Sequence, residues 1–113
     1  MYDDLTETAG YIGYRPDTKS IILSLRGSSN KRNWWENFNF EMVPYPRCKD
    51  CFIHAGFYFD FSVLETRIYE NIERLAAKYE VKKFVGTGHS LGAALSLISA
   101  LEVKMTYGSK YEV

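Results

Sequence analysis

Apolar residues recur along this chain at two different periods, and each change of period marks an element. Phe61, Leu64, Ile68, Ile72, Leu75 and Tyr79 step by three and four, which predicts an amphipathic helix over Tyr58 to Tyr79 with one buried stripe. Its Glu, Arg and Lys residues form a solvated outer face. Upstream, Ala9 to Tyr14 and the apolar Ser20 to Leu25 predict two strands joined by a turn at Arg15-Pro16-Asp17-Thr18-Lys19. Asn30 to Phe38 predicts a short helix capped by Ser29 or Asn30, with Trp34, Trp35 and Phe38 on one face. Phe38, Phe40 and Met42 then alternate with polar residues as a strand does. A proline- and cysteine-rich loop follows, then Phe52-Ile53-His54 and a break at Gly56.

Beyond the long helix, Lys82 to Gly88 is a short apolar strand and Leu91 to Leu101 an Ala- and Leu-rich helix. Helix, strand and helix in succession predict an α/β fold, a mainly parallel sheet with helices packed on its faces. The strand Phe84–Gly88 is expected to be central in a complete sheet, and in these 113 residues one of its edges is expected to be left open and apolar. Tyr111-Glu112-Val113 reads as the start of the next strand.

The junction of that strand and helix carries the chemistry. Gly88-His89-Ser90-Leu91-Gly92 is a G-x-S-x-G, and its setting makes it a nucleophile elbow. The turn is tight enough that a side chain at Gly88 or Gly92 would strike neighbouring backbone. Ser90 takes the strained position, which lifts its hydroxyl clear of the sheet beside the free N–H groups of the helix start. A dinucleotide-binding turn is the competing reading of Gly86, Gly88 and Gly92. Leu91 stands where its third glycine belongs, and no later strand carries a ribose-binding acid.

The 113 residues are 46% hydrophobic and 16% aromatic, globular composition for one domain. Fourteen acidic residues balance fourteen basic ones, so no electrostatic attraction to nucleic acid or an anionic membrane follows. No stretch approaches a membrane span, and Met1-Tyr2-Asp3-Asp4 is no signal peptide. Neither cofactor, metal, stable membrane insertion nor obligate protein partner is expected. Cys48 and Cys51, the only cysteines, leave His54 as the sole further candidate metal ligand, too few for zinc. They follow Pro44 and Pro46 in a loop, whereas a redox C-x-x-C opens a helix. A small loop-pinning disulfide in an oxidising compartment is the favoured reading, with two idle thiols as the alternative.

In order and spacing, Leu25-Arg26-Gly27-Ser28, Asn33-Trp34, His54-Ala55-Gly56-Phe57 and Gly88-His89-Ser90-Leu91-Gly92 with Ala94 resemble the class 3 (fungal-type) lipases, which are α/β-hydrolases. The resemblance runs from about Gly10 to about Lys104. It implies hydrolysis of acylglycerols at an oil–water interface, through an acyl-enzyme on Ser90. It implies an oxyanion hole from Ser28 and the backbone N–H of Leu91, as two preorganised donors for a tetrahedral intermediate. Ser29, Asn30, Lys31, Arg32, Asn33, Trp34, Trp35, Glu36, Asn37 and Phe38 would form the lid over the site. Two adjacent tryptophans also fit a core segment, but the crowd of polar neighbours favours the lid. His89 would be the elbow's structural histidine and His54 a packed histidine beneath the neighbouring strand. An intact parent would be secreted.

The chain departs from the pattern where a base is required. In α/β-hydrolases Asp or Glu and then His follow the serine, yet after Ser90 only Glu102 and Glu112 are acidic and no histidine occurs. Nothing in the sequence orients His54 as a substitute. The triad Asp and His are therefore absent, and residues 1–113 are expected to be a partial α/β-hydrolase domain, incomplete at the C-terminus and at the N-terminus. Such a chain is expected to be inactive alone. A non-catalytic homologue that binds lipid interfaces is the rival function.

Overall fold

The structure is a computed structural model that describes residues 2–3, 8–27 and 41–113. Among these described residues six strands and two helices follow in the order β1 (Tyr2–Asp3), β2 (Thr8–Arg15), β3 (Ser20–Arg26), β4 (Met42–Pro44), β5 (Phe52–His54), α1 (Ala55–Lys78), β6 (Lys83–Gly88) and α2 (Leu91–Tyr107), with a 3-10 turn at Gly108–Lys110. The expected helix over 30–38 and the strand residues Phe38 and Phe40 lie outside the described residues.

The main sheet has the order β1-β2-β3-β6, and β4 pairs with β5 as a separate antiparallel hairpin. Pairing is antiparallel for β1/β2 and β2/β3 and parallel for β3/β6, where Ile21 faces Phe84 and Leu25 faces Gly88. The sheet is thus mixed here, its parallel part lying around the crossover through α1. On the far side of β6, Phe84 N–H donates to the Glu112 carbonyl and Glu112 N–H to that of Lys82. This is a single parallel bridge between Lys83 and Glu112. Among the described residues β6 thus has β3 as its one strand neighbour, and on the other edge only Lys83 is bridged.

Ile21, Leu23 and Leu25 of β3 and Phe84 of β6 are all buried on one face of the sheet, with Ile12 and Tyr14 of β2 packed at its border. Each such side chain contributes roughly 1.5–3 kcal/mol on burial. A one-residue slip would send all of them to the opposite face, so the alternation fixes the register. Against this face lie Phe61, Leu64, Ile68, Ile72 and Leu75 of α1, and Leu91, Leu95, Ile98 and Val103 of α2.

Both helices therefore pack on the same face, while Tyr11 and Val85 on the other are 65% and 42% exposed. Strand connections of one handedness explain this. The path β3, α1, β6, α2 and the bridge at Glu112 steps across the sheet in a single direction, so successive crossovers fall on one side.

The helix α1 starts three residues before the expected Tyr58. Gly56 is inside its first turn rather than at a break: the His54 ring caps the helix, Nδ1 accepting from Phe57 N–H at 3.2 Å. A Cβ on Gly56 would press on that ring at 3.1 Å. Tyr79, expected in the buried stripe, is the extended C-cap and is 38% exposed. Its ring stacks on Tyr14 at 4.4 Å, and the Tyr14 hydroxyl donates to the Glu80 carbonyl at 2.7 Å. The second helix continues past the expected Leu101 to Tyr107, where Gly108 with φ +61° ends it.

Candidate active site

Ser90 sits between the last residue of β6 and the first turn of α2 with φ 57° and ψ −124°. A serine with positive φ costs of order 1–3 kcal/mol and persists only where its surroundings dictate it. Here glycines make room for the turn. A Cβ on Gly88 would collide with the Gly92 carbonyl, and one on Gly92 with the carbonyl of Leu25. Glycine at 92 thus lets α2 lie directly against the end of β3. Gly92 N–H donates to the His89 carbonyl at 2.9 Å, and Ala93 N–H to the Ser90 carbonyl at 3.0 Å.

The Ser90 side chain is exposed and makes no capping hydrogen bond. Leu91 is buried, yet no acceptor among the described residues takes its backbone N–H. That donor points out of the first turn of a helix, where the dipole favours developing negative charge. The end of β3 approaches the same spot, since a Cβ on Gly27 would lie 3.3 Å from Leu91 N. Ser28 follows Gly27 immediately but lies outside the described residues, as do residues 29–38, expected above to form a lid. His89 is exposed and lines, with Tyr11, Ser24, Arg26 and Thr87, a cleft on the face of the sheet away from the helices.

His54 ends β5 and caps α1, its Nδ1 accepting from Phe57 N–H at 3.2 Å and its ring stacked on Phe57 with Nε2 buried. Cys48 and Cys51 form a disulfide with Cα atoms 5.3 Å apart. It closes a loop held by Tyr45 N–H to the Cys51 carbonyl at 2.8 Å. Among the described residues no cluster of His, Cys, Asp and Glu could hold a metal ion.

Two polar features escaped the sequence reading. Ser96, buried on α2, lies 2.6 Å from the Thr87 carbonyl and 2.8 Å from that of Gly92. Glu102, 3% exposed on the same helix, accepts from the Tyr45 hydroxyl at one oxygen and from Arg47 at 2.7 Å at the other. Arg47 also donates to Thr106 Oγ1 at 2.9 Å. Burial, then the Glu102 carboxylate, push the Tyr45 hydroxyl well above the usual tyrosine range. The hydrogen bond to Glu102 raises Arg47. Both Glu102 oxygens are thus engaged by residues of the disulfide loop. A charged residue inside the apolar run from Leu95 to Val103 was the available signal for this cluster.

Comparison with known proteins agrees with this geometry. The family "Lipase (class 3)" matches residues 22–112. The secreted mono- and diacylglycerol lipase 1 of Fusarium solani is 32% identical over 112 residues, covering 92% of this chain and 34% of that protein. The mono- and diacylglycerol lipase of Aspergillus oryzae superposes with a TM-score of 0.83 at 31% identity, covering 95% of this chain and 40% of that one. The triacylglyceride lipase of Rhizomucor miehei gives 0.83 at 28% identity, covering 93% and 40%. The chain spans about a third of the length of the curated relatives it matches.

Proposed function

The chain belongs to the class 3 lipase family and has its α/β-hydrolase fold, and from that premise we propose that it carries the nucleophile of a secreted serine ester hydrolase acting on acylglycerols. The observation that supports this most is the backbone of Ser90, held at φ 57° in a turn that only glycine at 88 and 92 permits. Ser90 Oγ attacks the ester carbonyl while its proton passes to a base. The oxyanion of the tetrahedral intermediate is met by Leu91 N–H and by Ser28, and its collapse expels the alcohol and leaves an acyl-enzyme. Water then releases the fatty acid and restores Ser90.

Ser90 Oγ makes no hydrogen bond to a base among the described residues. His54 Nδ1 accepts from Phe57 N–H, both Glu102 oxygens are engaged by Tyr45 and Arg47, and the Glu112 carboxylate lies 3.9 Å from Lys83. Residues 29–38 act as the lid, closing over Ser90 in water and meeting the oil–water interface when open. Secretion is supported by the relatives named as secreted and by the Cys48–Cys51 disulfide.

The engaged His54 and Glu102 also favour a second reading for residues 1–113 by themselves, a lipid-interface binder without turnover. Diethyl p-nitrophenyl phosphate separates the two. The intact protein should be phosphorylated at Ser90, located by mass spectrometry, and lose hydrolysis of emulsified acylglycerol as Ser90→Ala does. Full activity in Ser90→Ala would refute the assignment.

A further inference from the structure

We infer that Ser96 is a positioning residue for Ser90, its hydroxyl stapling the two ends of the nucleophile elbow together. This rests on the reading of Ser90 as the nucleophile. The elbow runs from Thr87, at the end of β6, through Ser90 to Gly92 in the first turn of α2. Ser96 Oγ stands 2.6 Å from the Thr87 carbonyl oxygen and 2.8 Å from the Gly92 carbonyl oxygen. Neither carbonyl can donate, so the single hydroxyl proton is shared between them. One side chain thereby fixes the distance between strand end and helix start.

The Gly92 carbonyl is also the atom that a side chain on Gly88 would strike. Ser96 thus holds the wall against which the turn is folded. The helix also lies close on β6 at this point. A Cβ on Gly86 would already meet the Ser96 carbonyl at 3.1 Å. Ser90 has no side-chain cap of its own, and its positive φ must be imposed from outside. The staple is the one side-chain hydrogen bond among the described residues that spans the turn from end to end.

An internal control lies one turn further along. Ser99 is 1% exposed, and its hydroxyl donates at 2.7 Å to the Leu95 carbonyl, within the helix only. Both serines make the same bond to the carbonyl four residues back, and only Ser96 reaches the strand.

In the intact protein, Ser96→Ala should lower kcat on a soluble nitrophenyl ester by about tenfold or more, as displaced reacting groups do. KM should be unchanged, and phosphorylation of Ser90 by diethyl p-nitrophenyl phosphate should slow in parallel. Ser99→Ala should lower the melting temperature comparably while keeping the wild-type kcat. Ser96→Cys, which keeps the shape with a weaker donor, should fall between wild type and Ser96→Ala. Equal kcat and phosphorylation rates in wild type and Ser96→Ala would overturn the staple alone, as would equal losses of kcat in Ser96→Ala and Ser99→Ala. A wild-type protein that neither hydrolyses ester nor reacts with the phosphate would overturn the hydrolase reading, and this role with it.

Discussion

Arg47 reaches from the disulfide loop to Glu102 on the helix that starts beside Ser90, with Nη1 2.7 Å from Oε2. The Glu102 side chain is 3% exposed and that of Arg47 37%, so the pair is half sunk into the protein. Tyr45 fills the other carboxylate oxygen. Removing Tyr45's hydroxyl leaves a buried acceptor unmet, which costs about 1–3 kcal/mol. Tyr45→Phe should therefore lower stability by that amount in denaturant unfolding. Glu102→Gln in the same background should restore part of it, since a neutral amide is cheaper to bury than an underpaired carboxylate. Additive losses in this double-mutant cycle would show that the two groups are not coupled.

The same tyrosine sets an alkaline limit. Tyr45 and Tyr107 are both pushed above the ordinary tyrosine range, chiefly by burial and then by Glu102 and Glu73. Their folded values exceed the unfolded ones, so their contribution is complete below about pH 10 and is lost as pH rises beyond it. Over that window the unfolded chain binds fewer protons than the native one, and stability falls. Unfolding midpoints from pH 8 to 11 should decline, and less steeply in a Tyr45→Phe, Tyr107→Phe double variant. An identical slope in the double variant would exclude these two groups as the source.

Gly92→Ala should disable the elbow outright. Its methyl would collide with the Leu25 carbonyl, which belongs to a central strand and cannot retreat. Overpacking of this kind costs about 1–3 kcal/mol or more. Ester hydrolysis should fall along with melting temperature. A fully active Gly92→Ala enzyme would mean that α2 does not sit on β3 as described.

The disulfide closes a short loop, worth about 2 kcal/mol in chain entropy. Cys48 and Cys51 should resist alkylation until reduced, and Cys48→Ser, Cys51→Ser should lower the melting temperature while sparing Ser90 chemistry. Two free thiols in protein from its native compartment would remove this support for secretion.

On the proposal that residues 29–38 form a lid, Trp34→Ala in the intact protein should depress hydrolysis of emulsified substrate far more than hydrolysis of a soluble ester. Equal losses on both, with a drop in melting temperature, would assign Trp34 to the core.

Legibility of the sequence followed the range of the interaction. The elbow was readable because its strand, its glycines and its helix adjoin Ser90 within a dozen residues. The stripe of α1 was readable at Phe61, Leu64, Ile68, Ile72 and Leu75, where periodicity alone decides burial. It failed at Tyr79 because stacking on Tyr14, far away in sequence, competes with helical phase. Gly56 was misread because its use, making room for the His54 ring, depends on a side chain rather than on backbone freedom. Glu102 was visible as an anomaly, but its partners Tyr45 and Arg47 stand 57 and 55 residues away. Ser96 gave no signal, because serine in a helix is ordinary until its distance to Thr87 is known. That both helices share a face follows from the direction of the strand order, which no local pattern records.

The parallel pairing of β3 with β6 has a consequence for the order of events in folding. Ile21 and Phe84 meet only after the disulfide loop, the β4–β5 hairpin and α1 have been brought between them. Closing so long a loop is slow relative to forming α1 or the β2–β3 hairpin. The positive φ of Ser90 depends on Gly92 resting against Leu25, so the turn is not strained into shape until that closure. During refolding, phosphorylation of Ser90 should therefore lag behind the recovery of helical circular dichroism. An incompletely folded chain would then carry a serine no more reactive than any other.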